Sequence, residues 1–175
     1  MNTNFLSVCV LTALALPASA GAQRRDVLTS VEADKVREAG ETPGLRIKLF
    51  VGFAEDRMKK FNYELANPSP APGPSARRGE RLRALMDAYT ACVDDAAELV
   101  KLGMQKQQDL AKAAREIQPR LRDFLGWLER LANSGAEREL YAESLEDATD
   151  GTREAMHTVE KALKEMAPPP VRRRQ

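Results

Sequence analysis

From Leu82 to Leu131 apolar side chains return every three or four positions: Leu82, Met86, Tyr89, Val93, Ala96 and Val100, then Leu110, Ala114, Ile117, Leu121, Phe124, Leu128 and Leu131. That spacing puts them all on one face of an α-helix, whereas a half-buried strand would alternate every second residue. No segment of the chain shows strand-like alternation, and Ala, Leu, Glu, Lys and Arg dominate throughout. The expected fold class is therefore all-α.

The register interrupts only at Gly103 and Gln107, and no Gly, Asn or Ser cluster marks a turn before Pro119. This predicts one very long helix over about residues 80–132, roughly 80 Å at 1.5 Å per residue. Pro119 should bend it, because the ring clashes with the carbonyl four residues back. The alternative is a break in which Pro119 opens a new helix.

Shorter helices surround this one. Thr29 and Glu32 have the spacing of a capping box, and Gly40 supplies a left-handed stop, giving a short helix over about 30–39 within an N-terminal segment 23–43. Pro43 and Gly44 open a second helix, 44–66, with Ile47, Phe50, Val51, Ala54, Met58, Phe61 and Leu65 on one stripe, widened by Leu49 and Phe53. Asn67-Pro68 ends it, and the four prolines of residues 67–79 read as a semi-stiff linker. Asn133-Ser134-Gly135 is a turn, after which 136–166 reads as the last helix, carrying Tyr141, Leu145, Ala148, Thr152, Met156, Val159, Leu163 and Met166 in register. Pro168-Pro169-Pro170 stops it and leaves a solvated basic tail, 168–175. The last helix should fold back on the second half of the long one, closing a helical hairpin over 80–167, and the second helix should pack along the first half. The expected whole is an elongated bundle of about four helices with antiparallel flanking helices.

Residues 5–16 form an uncharged apolar run too short for a bilayer, which needs roughly 20 residues. Pro17 and the small residues Ala18, Ser19, Ala20, Gly21 and Ala22 follow, with two overlapping A-x-A cleavage patterns. Residues 1–22 thus read as a cleaved signal peptide, although Met1-Asn2-Thr3-Asn4 carries no Lys or Arg. The expectation is a periplasmic or secreted protein with no stable membrane anchor after cleavage. Loss of Cys9 with that segment leaves Cys92 as the one thiol, so an internal disulfide is excluded for the mature chain. In shape class and export alone the chain resembles small periplasmic chaperones that cradle clients on helical faces. Their paired Leu-Thr-x-x-Gln signature is not found, the nearest glutamines being Gln105, Gln107, Gln108 and Gln118, so membership does not follow.

No catalytic site is expected. The 27 basic and 26 acidic residues nearly cancel, which argues against a nucleic-acid face. Glu154 and His157 have the Glu-x-x-His spacing of di-iron bundles, but such sites need two motifs and His157 is the only histidine. Cys92 lies beside the apolar stripe with Asp94 and Asp95 after it and no histidine nearby, a setting for a packing residue rather than a nucleophile. Asp94, Asp95, Glu98, Glu143, Glu146, Asp147 and Asp150 form no calcium loop and read as solvated helix faces. Nucleotide-binding, nucleophile-elbow and haem-attachment motifs are missing, so neither a metal nor another cofactor is expected.

The remaining feature is a broad apolar face made by Phe124, Leu125, Trp127, Leu128 and Leu131, the candidate interaction face if it is not core. The functional expectation is a non-enzymatic envelope protein that binds another protein or itself through helix faces. A bundle holding a metal or small ligand is the alternative.

Overall fold

The computed structural model describes residues 28–67, 75–134 and 137–166. The apolar run 5–16, the cleavage positions, most of the proline segment and the basic tail lie outside the described residues. Within them the chain is an all-α helical bundle.

Helix α1, Ser30–Glu38, begins at the expected capping box. The Glu32 amide donates to Thr29 Oγ1 at 3.3 Å, and the Thr29 amide donates to Glu32 Oε2 at 2.8 Å, so two otherwise orphan donors are satisfied reciprocally. Gly40 follows at φ +54°, a left-handed turn that a residue with a Cβ adopts at a cost. Helix α2, Pro43–Ala66, starts on a proline whose missing amide has no partner to lose, and stops at Asn67, whose Nδ2 donates to the Tyr63 carbonyl at 2.9 Å. It buries Ile47, Phe50, Val51, Phe53, Ala54 and Phe61 together with one charge, Arg57. Leu49, Met58 and Leu65 pack at the edge of the core.

The single helix expected over 80–132 is instead two helices, α3 (Ser75–Gln105) and α4 (Ala111–Ser134). The chain reverses between them through a Schellman-type cap: the Gln108 amide donates to the Gly103 carbonyl at 2.9 Å and the Gln107 amide to the Met104 carbonyl at 3.0 Å. Gln107 takes the left-handed conformation at φ +54° that glycine usually supplies. What makes the turn possible is Gly103. A Cβ built there would lie 2.3 Å from Leu110 Cδ1, so Leu110 reaches its buried position only across a bare Cα. Asp109 Oδ1 then accepts from the Ala111 amide at 3.1 Å and starts α4. Pro119 lies inside α4, which runs through it without a break, and its side chain faces solvent.

Two further boundaries move. Helix α3 begins at Ser75, inside the segment read as linker, because after Pro74 no proline interrupts the chain until Pro119. Its start is fastened by Arg78, which donates from Nη2 to the Leu65 carbonyl at 3.0 Å and from Nε to Glu137 Oε2 at 2.9 Å. The last helix, α5, spans Ala142–Glu165 rather than starting near 136. Glu137 is left-handed at φ +62°, a 3-10 turn occupies Arg138–Leu140, and Tyr141, fully buried, forms the first turn's anchor.

Helix α2 lies between α3 and α4, and α5 lies between the same two on the other side, so the sequence neighbours α3 and α4 sit diagonally. Arg81 Nε reaching Glu64 at 2.8 Å joins the start of α3 to the end of α2 and makes that pair antiparallel. By contrast, Arg120–Glu55 at 2.6 Å and Trp127–Asn62 at 3.0 Å run in step along α4 and α2, which are parallel, as are α3 and α5. The two expected antiparallel pairings, α2 on α3 and α5 on α4, are present, and the reversal at Gln107, which turns α4 around, adds the two parallel ones.

Five rings from four elements fill the centre. Phe61 meets Tyr141 at 5.0 Å and Trp127 at 5.7 Å, both edge-on, and Tyr89 meets Phe124 and Trp127 at 5.8 Å. Edge-to-face pairs of this kind add about 0.5–1.5 kcal/mol each beyond the area they bury.

Candidate functional site

The residues of the candidate interaction face are in the interior. Phe124, Trp127, Leu128 and Leu131 are buried and belong to the core, and Leu125 is half-buried. Their facing partners are Phe61 of α2 and Tyr89 of α3, so the face is already covered by the chain itself. The indole Nε1–H is satisfied by Asn62 Oδ1 at 3.0 Å.

The polar candidates are dispersed. Glu154 is exposed and bound by Lys101, whose Nζ donates to Oε1 at 2.9 Å; this ammonium, the nearest strong positive charge, holds the Glu154 carboxyl below its ordinary range. His157 is exposed one turn further on. Among the described residues no three His, Cys, Asp or Glu side chains gather closely enough to hold a metal ion. Glu154 and His157 do share the wall of an open groove between α3 and α5, about 480 Å³ in volume, with Lys101, Met104, Thr158 and Lys161 also lining it. Asp94 and Glu98 are exposed on α3, and Glu143, Glu146, Asp147 and Asp150 are exposed on α5, where Asp150 pairs with Arg153 at 3.0 Å.

Cys92 is buried, and burial pushes its thiol up to about 12, more than the nearby Arg57 guanidinium lowers it. At neutral pH it is a protonated thiol, not a nucleophile. Tyr89 is similar in kind: its hydroxyl is buried, bonded to Thr152 Oγ1 at 2.8 Å, and its pKa is raised by desolvation. The Thr152 hydroxyl in turn reaches the Ala148 carbonyl at 2.7 Å. With that acceptor occupied by Thr152, the tyrosine is the donor, and the chain of bonds ends on backbone without a reactive group.

Sequence reasoning missed one constellation. Glu32, read only as a cap, also receives both terminal Arg57 nitrogens: Nη2 donates to Oε2 at 2.6 Å and Nη1 to Oε1. The Arg57 fork, with Thr29 added, holds the Glu32 carboxyl down at about 2. Arg57 Nη1 also lies 3.4 Å from Asp56 Oδ2. The available signal was an arginine three residues after Ala54 and four before Phe61, squarely on the apolar stripe of α2, where a charge demands a buried partner.

Comparison with family models, with curated proteins and with solved structures finds no match to this chain. The class of protein is therefore defined by its fold alone, an all-α helical bundle. Among the described residues no helix is long and apolar enough to cross a membrane.

Proposed function

We propose that this chain is an exported, non-catalytic helical-bundle protein of the cell envelope, acting by contact with another protein or a second copy of itself through outer helix faces. One observation carries the reading: among the described residues the side chains able to do chemistry are engaged within the fold or stand apart from one another. Cys92 is buried and protonated, Glu32 and Arg57 neutralise each other, and Glu154 is held by Lys101. A bundle interior that served a cofactor would bring several ligating groups together around a cavity. Here the centre is filled by Phe61, Tyr89, Phe124, Trp127 and Tyr141. Export rests on the apolar run 5–16 and the small residues after Pro17.

Native mass spectrometry of the protein purified from the extracytoplasmic fraction of its host tests both halves. The expected result is a chain beginning at Gly21 or Gln23, free of metal and small molecules, in a defined complex with a second polypeptide or a second copy. A chain retaining Met1 in the membrane fraction would overturn export. A monomer carrying stoichiometric metal or ligand would overturn the binding role and promote the groove beside Glu154 and His157.

A further inference from the structure

The carboxylate that caps α1 is also the one that docks it. Glu32 Oε2 accepts from the Thr29 amide at 2.8 Å, the Thr29 hydroxyl at 2.9 Å and Arg57 Nη2 at 2.6 Å, while Oε1 accepts from Arg57 Nη1. The pair is well shielded, with side-chain exposures of 11% for Glu32 and 5% for Arg57.

Around this pair α1 is thinly attached. Its contacts fall chiefly on α2, and Glu32 is the only buried residue within the helix, followed by Ala39 at its cap. Leu28 and Val36 are only partly buried, and Val31 is 61% exposed. Asp34, Lys35, Arg37 and Glu38 face solvent. The continuous core, by contrast, is built from buried residues between Ile47 and Ala162 and includes none from α1. Between the two, Ala39 and left-handed Gly40 lead into exposed Glu41 and Thr42, a short connection at which the chain can swing.

A buried ion pair is a poor source of net stability, since desolvation offsets most of its attraction, yet losing either member is costly and its geometry is specific. It is therefore suited to holding one element in one place, reversibly. We propose that α1 is a strap latched onto an otherwise self-sufficient bundle by the Glu32–Arg57 pair, and that it opens about Gly40 without unfolding α2 to α5. Opening uncovers Arg57, with Asp56 beside it and the Cys92 thiol within its electrostatic neighbourhood.

Hydrogen exchange read by mass spectrometry on the full chain, with and without low denaturant, tests this. In the unsubstituted protein the amides of 30–39 should exchange through a local opening that is insensitive to low denaturant, well before those of α2 to α5. Glu32→Gln keeps a side chain able to complete the capping box but removes the charge, and Arg57→Met removes the latch from the other side. Each should speed exchange in 30–39 by about tenfold or more while α2 to α5 keep their protection. The unchanged protection of α2 to α5 also confirms that the variants fold. Exchange of 30–39 with the same denaturant dependence as α2 and α3, or equal loosening of α1 and the core in the variants, would overturn the proposal.

Discussion

Trp127→Ala is expected to destabilise the bundle by roughly 3–5 kcal/mol, the range for removing a large aromatic side chain from a packed core. The indole is 7% exposed, set edge-on to Phe61 at 5.7 Å and tilted against Tyr89 at 5.8 Å, so its removal takes one packing partner from each of two buried rings. Asn62 also loses the hydrogen bond it receives from the indole. As the only tryptophan, it reports its own surroundings, and emission in the intact protein should be blue-shifted and resistant to aqueous quenchers. Thermal unfolding and fluorescence check both. A red, easily quenched emission with an unchanged melting temperature in Trp127→Ala would return the Phe124/Trp127/Leu128/Leu131 face to the surface and make it a docking site.

Gly103→Val should have the next largest effect, about 1–3 kcal/mol, as for overpacking at a tight core contact. The added Cβ would lie 2.3 Å from Leu110 Cδ1 and 3.1 Å from its Cγ, and Leu110 is 2% exposed. Leu110 must move from the core or the end of α3 must shift, and either loosens the reversal into α4. Chemical denaturation measures the loss. Stability equal to that of the unsubstituted chain would mean that α3 and α4 do not meet across Gly103.

The two short-range helices were legible because their signals are local. Thr29 and Glu32 cap α1, Gly40 ends it, Pro43 opens α2 and Asn67-Pro68 closes it, and each device acts within one or two turns. The apolar positions of α3 and α4 were equally legible, since 3.6-residue periodicity reports which side of a helix is buried. Periodicity does not report direction. Two helices that reverse and turn the same stripe toward one core leave the same pattern as one unbroken helix, so the register across Gly103 concealed the turn. The usual turn chemistry was also missing, because Gln107 occupies a left-handed position that Gly or Asn would have advertised. The start of α5 was misplaced for a related reason: Arg138, Glu139 and Leu140 are good helix formers held in a 3-10 turn, while Tyr141 is anchored against Phe61. The candidate interaction face could not be resolved from sequence, because an apolar stripe looks the same whether this chain or another covers it. Arg57 is the opposite case, visible on the stripe of α2 yet paired with a residue 25 positions earlier that already had a local role.

The reversal at Gln107 is the central claim, since among the described residues it closes the interior and leaves outer helix faces for the proposed partner. Distance measurement between spin labels at Glu80→Cys and Glu129→Cys, in a background with Cys9→Ser and Cys92→Ser, tests it most directly. Both sites are exposed, and the ends of the chain's two arms are drawn together where Arg78 meets Glu137 at 2.8 Å. The folded-back bundle predicts a single distance of roughly 20–30 Å, two helix diameters plus the label arms. A distribution centred at roughly 75 Å, the span of an unbroken helix at 1.5 Å per residue, would contradict it.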